Sequence, residues 1–366
     1  MDIDYRVFDQ MSEICSWMED NQSKIILKQR FLYSLTQDIE YIYDMLNLTG
    51  FSLSMLEGAY EKEIRDMYGD SLPEEDLLTA LLKHRAEKIV IFGCGSEAGN
   101  LLRLLNFAGF SLLAFADNFK RGEYLGYPIL RVEDIPGDAF VVISSQLHRD
   151  DMREQLREMG YEEGRIFYPG PNMLFCPYGT SYFDESIFKP MDEAVFIDGG
   201  CFHGETSKRF ISWAKSYQEI IAFEPDAHNF AVAEKNLEGL ANVMLWKAGM
   251  SDQNTKYSFS RSGIDGSGSR IMEGGQEEIE VKALDSVVKD RVSFIKLDIE
   301  GAELSALKGA SAIIRRDRPR LAVCLYHKPE DIWEIPSFVK NLVPEYHMAV
   351  RHYMTNMYDT ILYCWV

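Results

Sequence analysis

The stretch Phe196-Ile197-Asp198-Gly199-Gly200-Cys201-Phe202-His203-Gly204-Glu205-Thr206 constrains the fold of this chain more than any other part of it. An apolar run enters a glycine-rich turn, and a helical pattern leaves it. Strand, tight turn and helix in that order open a parallel α/β unit, and ligands of such sheets lie beyond the carboxyl ends of the strands. Gly200 and Gly204 let the backbone turn sharply and approach a ligand where a side chain would intrude. The helix that follows offers unpaired N–H groups and the positive end of its dipole to an anion.

The chain continues in the same alternation. Strands are expected at Ala194–Ile197, Ile220–Phe223, Val243–Lys247, Val292–Leu297 and Leu321–Tyr326, with helices at Ala227–Leu237 and Ala302–Ile314. Glu278–Val281 reads as an extra edge strand, and His347–Tyr353 and Thr360–Val366 as two closing β runs. Glu224 stands at the tip of the second strand, about twenty residues beyond Gly204. An acid at that place accepts hydrogen bonds from two ribose hydroxyls. A dinucleotide pyrophosphate fits this frame, and so does the carboxylate of S-adenosylmethionine. Asp198 favours the second, because it can pair with an ammonium group that a pyrophosphate lacks. The expected cofactor contacts are therefore Asp198, Gly200, Gly204 and Glu224, with Ala248 beyond the third strand.

Asp298 ends the fourth strand, and His327 follows the fifth. Both are expected at the catalytic edge, as candidate bases for a hydroxyl acceptor. Glu300, Glu303 and Arg270 are expected to contact the substrate, although acids in a first helical turn are also favourable simply as dipole partners. Asp298, Glu300 and Glu303 are oxygen donors of the type that hard cations take, but methyl transfer needs no metal and none is expected. His203 is placed in the donor-site wall, while His352, Asp285 and the loop Ser267–Arg270 are placed on the acceptor side.

At these residues the sequence resembles the FkbM-type methyltransferases. The resemblance covers about residues 194–366 and rests on Phe196–Thr206, Phe223-Glu224-Pro225, Leu284-Asp285-Ser286, Phe294 to Glu303, Leu307-Lys308-Gly309-Ala310 and Tyr326 to Asp331. Asp298 to Glu303 is its most specific part. Gly199-Gly200-Cys201-Phe202 replaces the family's usual Val-Gly-Ala-Asn-like turn and keeps the glycine spacing. The resemblance implies a class I sheet of seven strands with the last antiparallel, and S-adenosylmethionine-dependent methylation. The expected acceptor is a hydroxyl on a sugar, glycan precursor or other small metabolite.

The remainder reads as a helical segment over 1–85, a small Rossmann-like α/β domain over 86–168 and a Pro- and aromatic-rich linker over 169–190, before the methyltransferase domain of 191–366. The helical segment is expected to be a cap or an oligomerisation arm, which leaves a homo-oligomer open. In the first α/β domain Gly93, Gly95 and Gly99 form GxGxxxG and Asp117 ends the next strand, a candidate nucleotide site. This domain resembles the amino-terminal domains of sugar-nucleotide acyltransferases. The rival readings are an NAD(P)- or nucleotide-sugar-binding oxidoreductase and a nucleotide sensor; no Tyr-x-x-x-Lys or other hydride-transfer apparatus is visible. A net charge of −20 repels phosphate backbones and anionic lipids, so neither nucleic acid nor membrane is an expected partner. The six scattered cysteines and the lack of a basic-then-apolar leader suggest a cytoplasmic protein with reduced thiols.

Overall fold

The computed structural model describes residues 6–48, 80–81, 88–145, 147–167, 181–260, 270–271, 277–354 and 357–366. The chain forms two compact units, one from residues 1–37, 180–353 and 357–366, the other from 38–179 with 354–356. Three helices open it: α1 (Arg6–Trp17), α2 (Asn21–Thr36) and α3 (Glu40–Leu48). Asp20 caps α2 by accepting from Ser23 N at 2.7 Å, and Gln37 ends it with φ 58°. That left-handed residue breaks the single apolar stripe expected from Leu27 to Leu46 into two helices. The helical stripe expected at Leu53, Leu56, Tyr60 and Ile64 and the helix start at Ser71–Glu75 lie outside the described residues.

The smaller unit is built on β1 (Ile89–Phe92), β2 (Leu112–Ala116), β3 (Gly122–Tyr124), β4 (Tyr127–Leu130), β5 (Phe140–Ile143) and β6 (Ile166–Phe167). The order is β3-β4-β2-β1-β5-β6, and every pair is parallel except the β3–β4 hairpin. β1 and β5 are buried at every residue, as their unbroken apolar runs require in a sheet covered on both faces. Helices α4 (Ser96–Phe107) and α5 (Arg149–Glu158) are the crossovers.

The larger unit carries β7 (Ala194–Gly199), β8 (Tyr217–Phe223), β9 (Val243–Trp246), β10 (Gly249–Met250), β11 (Thr255–Ser260), β12 (Arg270–Ile271), β13 (Glu277–Lys282), β14 (Phe294–Leu297), β15 (Arg320–Cys324), β16 (His347–His352) and β17 (Thr360–Trp365). Seven of these form one sheet in the order β16-β17-β15-β14-β7-β8-β9, with β17 antiparallel to both neighbours and the remaining pairs parallel. This is the expected class I arrangement. The strand expected near Glu278 does not edge that sheet: β13 lies in a separate sheet, β10-β13-β11-β12. There Ile279 and Val281 pack with Tyr257 while Glu278 and Glu280 face outward, so the alternation is satisfied locally.

Helices α6 (Glu205–Trp213), α7 (Ala227–Leu237), α8 (Leu284–Val287), α9 (Glu303–Gly309), α10 (Ser311–Asp317) and α11 (Asp331–Leu342) complete this unit. The one helix expected over 302–314 is divided at Gly309, where a Cβ would stand 2.0 Å from the Ser251 carbonyl oxygen. Residues 181–188, read from sequence as linker, instead help build the core. Phe183 lies 6.0 Å from Phe196 and 5.3 Å from Trp213, and Phe188 lies 5.4 Å from Phe294. The first two helices belong to this core as well. Ser23 Oγ accepts from Val350 N at 2.9 Å, Asp20 pairs with Arg351 at 3.0 Å, and Arg30 donates to the Tyr326 carbonyl at 3.1 Å. No described helix is long and apolar enough to cross a membrane. Cys15, Cys94, Cys201, Cys324 and Cys364 are free and buried.

Candidate active site

The glycine turn after β7 is held by the protein's own backbone. Gly200 N and Cys201 N both donate to the Phe223 carbonyl at 3.0 Å, and Asp298 N donates to Gly199 O at 3.1 Å. Gly200 has φ 73°, and a Cβ there would stand 1.9 Å from the Asp298 carbonyl oxygen. Gly204 has φ 90°, and its Cβ would press on Leu237 at 2.9 Å. The space that excludes a side chain at Gly200 and Gly204 is thus already occupied by Asp298 and Leu237.

Asp198 is fully buried. Ser207 Oγ donates to its Oδ2 at 2.7 Å, and Lys296 Nζ lies 3.2 Å from its Oδ1. Lys296, from β14, also donates to Gly199 O at 3.0 Å and Gly200 O at 2.6 Å. Burial disfavours its charge, but Asp198 and then Asp298 outweigh that and raise its pKa to about 12. Asp198, expected to meet the donor's ammonium group, thus has Oδ2 hydrogen-bonded to Ser207, while Oδ1 pairs with Lys296 by charge and makes no hydrogen bond. Its charge also anchors the lysine that ties down the turn.

Glu224 closes onto the same turn from the end of β8. Its Oε2 accepts from Phe202 N at 3.0 Å and its Oε1 from Asp226 N at 2.9 Å. Burial raises its pKa to about 7 against those two donors. Asp226 is occupied as the cap of α7, accepting from His228 N and Asn229 N. His203 stacks on Phe202 with ring centroids 3.8 Å apart and contacts Asn229 Oδ1 at 3.2 Å. Ala248 is buried just beyond β9.

The second cluster gathers at the carboxyl ends of β14 and β15. Tyr182 donates to Asp298 Oδ2 at 2.7 Å, and Tyr326 to its Oδ1 at 2.8 Å. Burial opposes the Asp298 charge, but Lys296, His327 and the two phenols hold its pKa below the ordinary value. His327 Nε2 lies 3.4 Å from Asp298 Oδ1 and 3.5 Å from Glu300 Oε2, while its Nδ1 lies 2.9 Å from Glu303 Oε1. Burial disfavours the imidazolium, yet Glu303 foremost among these acids raises its pKa to about 9. Glu303 is fully buried and accepts from Ile299 N at 2.9 Å, whereas the Glu300 side chain is 36% exposed. Burial also raises Asp331 and Asp359 to about 7, the first helped by Glu303 and the second by Asp298.

The other expected site residues fall elsewhere. Arg270 is on β12, with its side chain outside the described residues, as is the loop 261–269. Asp285 accepts from Ala312 N at 2.8 Å and Ile313 N at 2.9 Å, which makes it a cap for α10. His352 is fully buried against Thr360 Oγ1 at 2.9 Å. In the smaller unit Gly93 has φ 102°, with Ser144 Oγ where its Cβ would be, while the equivalent space at Gly95 is open and at Gly99 reaches only Leu125. Asp117 Oδ2 accepts from Cys94 N at 3.0 Å, and its Oδ1 accepts from Phe119 N and Lys120 N. Asp117 and Glu224 thus do the same thing in the two units: an acid ending the second strand grips the turn after the first.

Lys296 and Tyr182 were not singled out from the sequence. The signal for the first was present, a lysine inside the apolar run Val292–Leu297, which demands a buried partner. Tyr182 gave none, being one aromatic among many before Pro190.

Residues 203–358 match the family model described as methyltransferase FkbM domain, and residues 85–167 match one described as C2185-like, N-terminal. A curated relative, the 2-O-methyltransferase NoeI of Sinorhizobium fredii, is 25% identical across 34% of this chain and 61% of its own length. The chain therefore spans less than two thirds of that relative. Among solved structures, methyltransferase FkbM from Methylobacillus flagellatus is 20% identical, with 85% of this chain and 98% of that one covered at a TM-score of 0.47. A putative methyltransferase from Streptococcus mutans, solved in complex with SAH, is 15% identical, with 51% and 94% covered at a TM-score of 0.33. Over residues 203–358, a little under half of its length, this chain is thus similar to the methyltransferase FkbM domain family.

Proposed function

We propose that the larger unit is an S-adenosylmethionine-dependent O-methyltransferase acting on a hydroxyl of a sugar, glycan precursor or other small metabolite. The observation that carries the reading is Glu224, a buried acid at the end of β8 gripping the glycine turn. Each oxygen of a carboxylate has two lone pairs, and the N–H groups of Phe202 and Asp226 use only one on each. Two remain for ribose hydroxyls, and such donors would favour the charge that burial opposes. Phe202 and His203 flank the same turn, and we assign Ala248, buried beyond β9, to the donor pocket as well. Gly200 and Gly204 shape the turn, and Asp198 acts through Lys296 to hold it. S-adenosylmethionine supplies a methyl group already activated by its sulfonium, so the protein's task is chiefly alignment. The relative's name, a 2-O-methyltransferase, makes a hydroxyl oxygen a fitting acceptor atom.

Asp298 stands one strand end away from the donor turn and His327 two, with Glu300 at the more exposed rim. We assign removal of the acceptor proton to Asp298, with His327, whose pKa is raised to about 9, beside it as a positive charge. A carboxylate of lowered basicity suits a late proton transfer, because an attacking hydroxyl becomes strongly acidic as its new bond to carbon forms. Tyr182 and Tyr326 keep the Asp298 carboxylate fixed. Separate calorimetric titrations of the full chain with S-adenosylmethionine and NAD test the reading. Binding of the first in the micromolar range with no heat from NAD supports it, and the reverse result overturns it in favour of an oxidoreductase.

A further inference from the structure

The cluster around His327 holds more acid than a protein interior tolerates unaided. Donor atoms of Asp298, Glu303 and His327 lie within 4.8 Å of one another, and Glu300 adds a third carboxylate. The His327 side chain is only 7% exposed, yet neither ring nitrogen makes a hydrogen bond of good geometry. The second oxygen of Glu303 is likewise buried without a partner. Buried polar atoms in that condition call for a ligand or an ion.

The two acids nearest His327 Nε2 mark where it would sit. Glu303 lies beside Nδ1, which favours a proton on that nitrogen, and Nε2 faces Asp298 Oδ1 at 3.4 Å and Glu300 Oε2 at 3.5 Å; a cation bound there would displace the Nε2 proton to solvent and take its lone pair. Ligands about 2.1 Å from one ion stand about 3.0–3.4 Å apart at octahedral to tetrahedral angles. A carboxylate behind the far ring nitrogen is also the usual support of a metal-bound histidine. One imidazole with two carboxylates is a donor set for a divalent ion of the Mn²⁺ type rather than a thiophilic one.

We propose that Asp298 Oδ1, Glu300 Oε2 and His327 Nε2 bind a divalent cation, with Glu303 positioning the histidine. The sequence alone suggested that no metal was needed, since the donor's methyl group is activated already. The structure adds a different use: a cation here would hold the acceptor by its oxygens beside Asp298. That use rests on the methyltransferase reading, but the existence of the site does not.

The test is titration of the full chain, stripped with a chelator, with Mn²⁺, following loss of the free-ion paramagnetic resonance signal. One Mn²⁺ per chain is expected. Glu300→Gln, at a partly exposed position that need not disturb folding, should weaken it at least tenfold, and Glu303→Gln should do so while leaving all three ligands present. No saturable binding in the wild-type chain would overturn the proposal and leave an imidazolium as the cluster's own counter-charge. Unchanged affinity in Glu300→Gln would also overturn it. S-adenosylmethionine binding measured on the same samples separates the two readings: Mn²⁺ binding without donor binding sinks the methyltransferase assignment and keeps the metal site.

Discussion

Lys296→Met isolates the device that holds the glycine turn. The substitution keeps the apolar stem of the side chain and removes only its charge. Asp198 would then be a fully buried carboxylate with Ser207 as its one donor. Removing one partner of a buried pair costs about 3–5 kcal/mol. Gly199 O retains a donor in Asp298 N, but Gly200 O loses the 2.6 Å bond from Nζ, at about 1–3 kcal/mol. The two losses overlap, so we expect about 4–6 kcal/mol, a large part of the roughly 5–15 kcal/mol by which domains are stable. All five tryptophans, at 17, 213, 246, 333 and 365, belong to the larger unit, so their fluorescence in a urea titration reports that unit alone. Asp198→Asn combined with Lys296→Met removes the stranded charge and should recover at least about 2 kcal/mol. A single variant within about 1 kcal/mol of wild type would refute the reasoning, as would a double variant no more stable than the single one.

Further outcomes follow from the same geometry. Gly200→Ala forces a Cβ onto the Asp298 carbonyl at a left-handed φ, so a loss above about 3 kcal/mol is expected; a melting temperature within two degrees of wild type, roughly 0.5–1 kcal/mol for a unit of this size, would show that the turn can give. Glu224 has a folded-state pKa raised from 4.5 to about 7, so the folded chain keeps a proton that the unfolded chain has released. Stability should therefore fall as pH rises through that window, by on the order of 3 kcal/mol for this group, and Glu224→Gln should make the fall measured between pH 5 and 8 shallower, the part owed to Asp331 and Asp359 remaining. A fragment starting near Phe183 contains all of the domain read from the sequence over 191–366, but it lacks α1 and α2, and α2 with its cap Asp20 hydrogen-bonds Val350, Arg351 and the Tyr326 carbonyl. We expect it to lose cooperative unfolding by tryptophan fluorescence, and a transition matching the full chain would contradict this.

The parts of the fold legible in the sequence were those that local patterning dictates. The strand–turn–helix at Phe196–Thr206, the acid at Glu224 and the alternation through Thr360–Val366 follow from apolar periodicity and glycine spacing, and the seven-stranded sheet is built from them. What escaped was long-range. Nothing near Asp20 or Arg30 announces that α2 packs on β16, because the partners lie some three hundred residues away. Phe183 and Phe188 sit in a proline-rich segment whose composition suggests a connection, yet their burial is decided by Phe196, Phe210 and Phe294. Asp198 was legible as an acid at the site but not as the partner of Lys296, since strand pairing between β7 and β14 is what brings the two together. Glu303 reads as a helix-start acid, and only its burial beneath His327 reveals a second role.

The measurement that bears most directly on the account is a calorimetric comparison of S-adenosylmethionine binding to wild type, Glu224→Ala and Asp298→Asn. The account places Glu224 on the donor and Asp298 on the acceptor side. Glu224→Ala should lose about 1–3 kcal/mol of donor affinity, roughly five- to 150-fold, through lost charge-assisted hydrogen bonds. Asp298→Asn should bind the donor within a few-fold of wild type while its turnover, once an acceptor is in hand, drops roughly 100-fold or more. Unchanged donor affinity in a folded Glu224→Ala chain, or a loss confined to Asp298→Asn, would contradict the account.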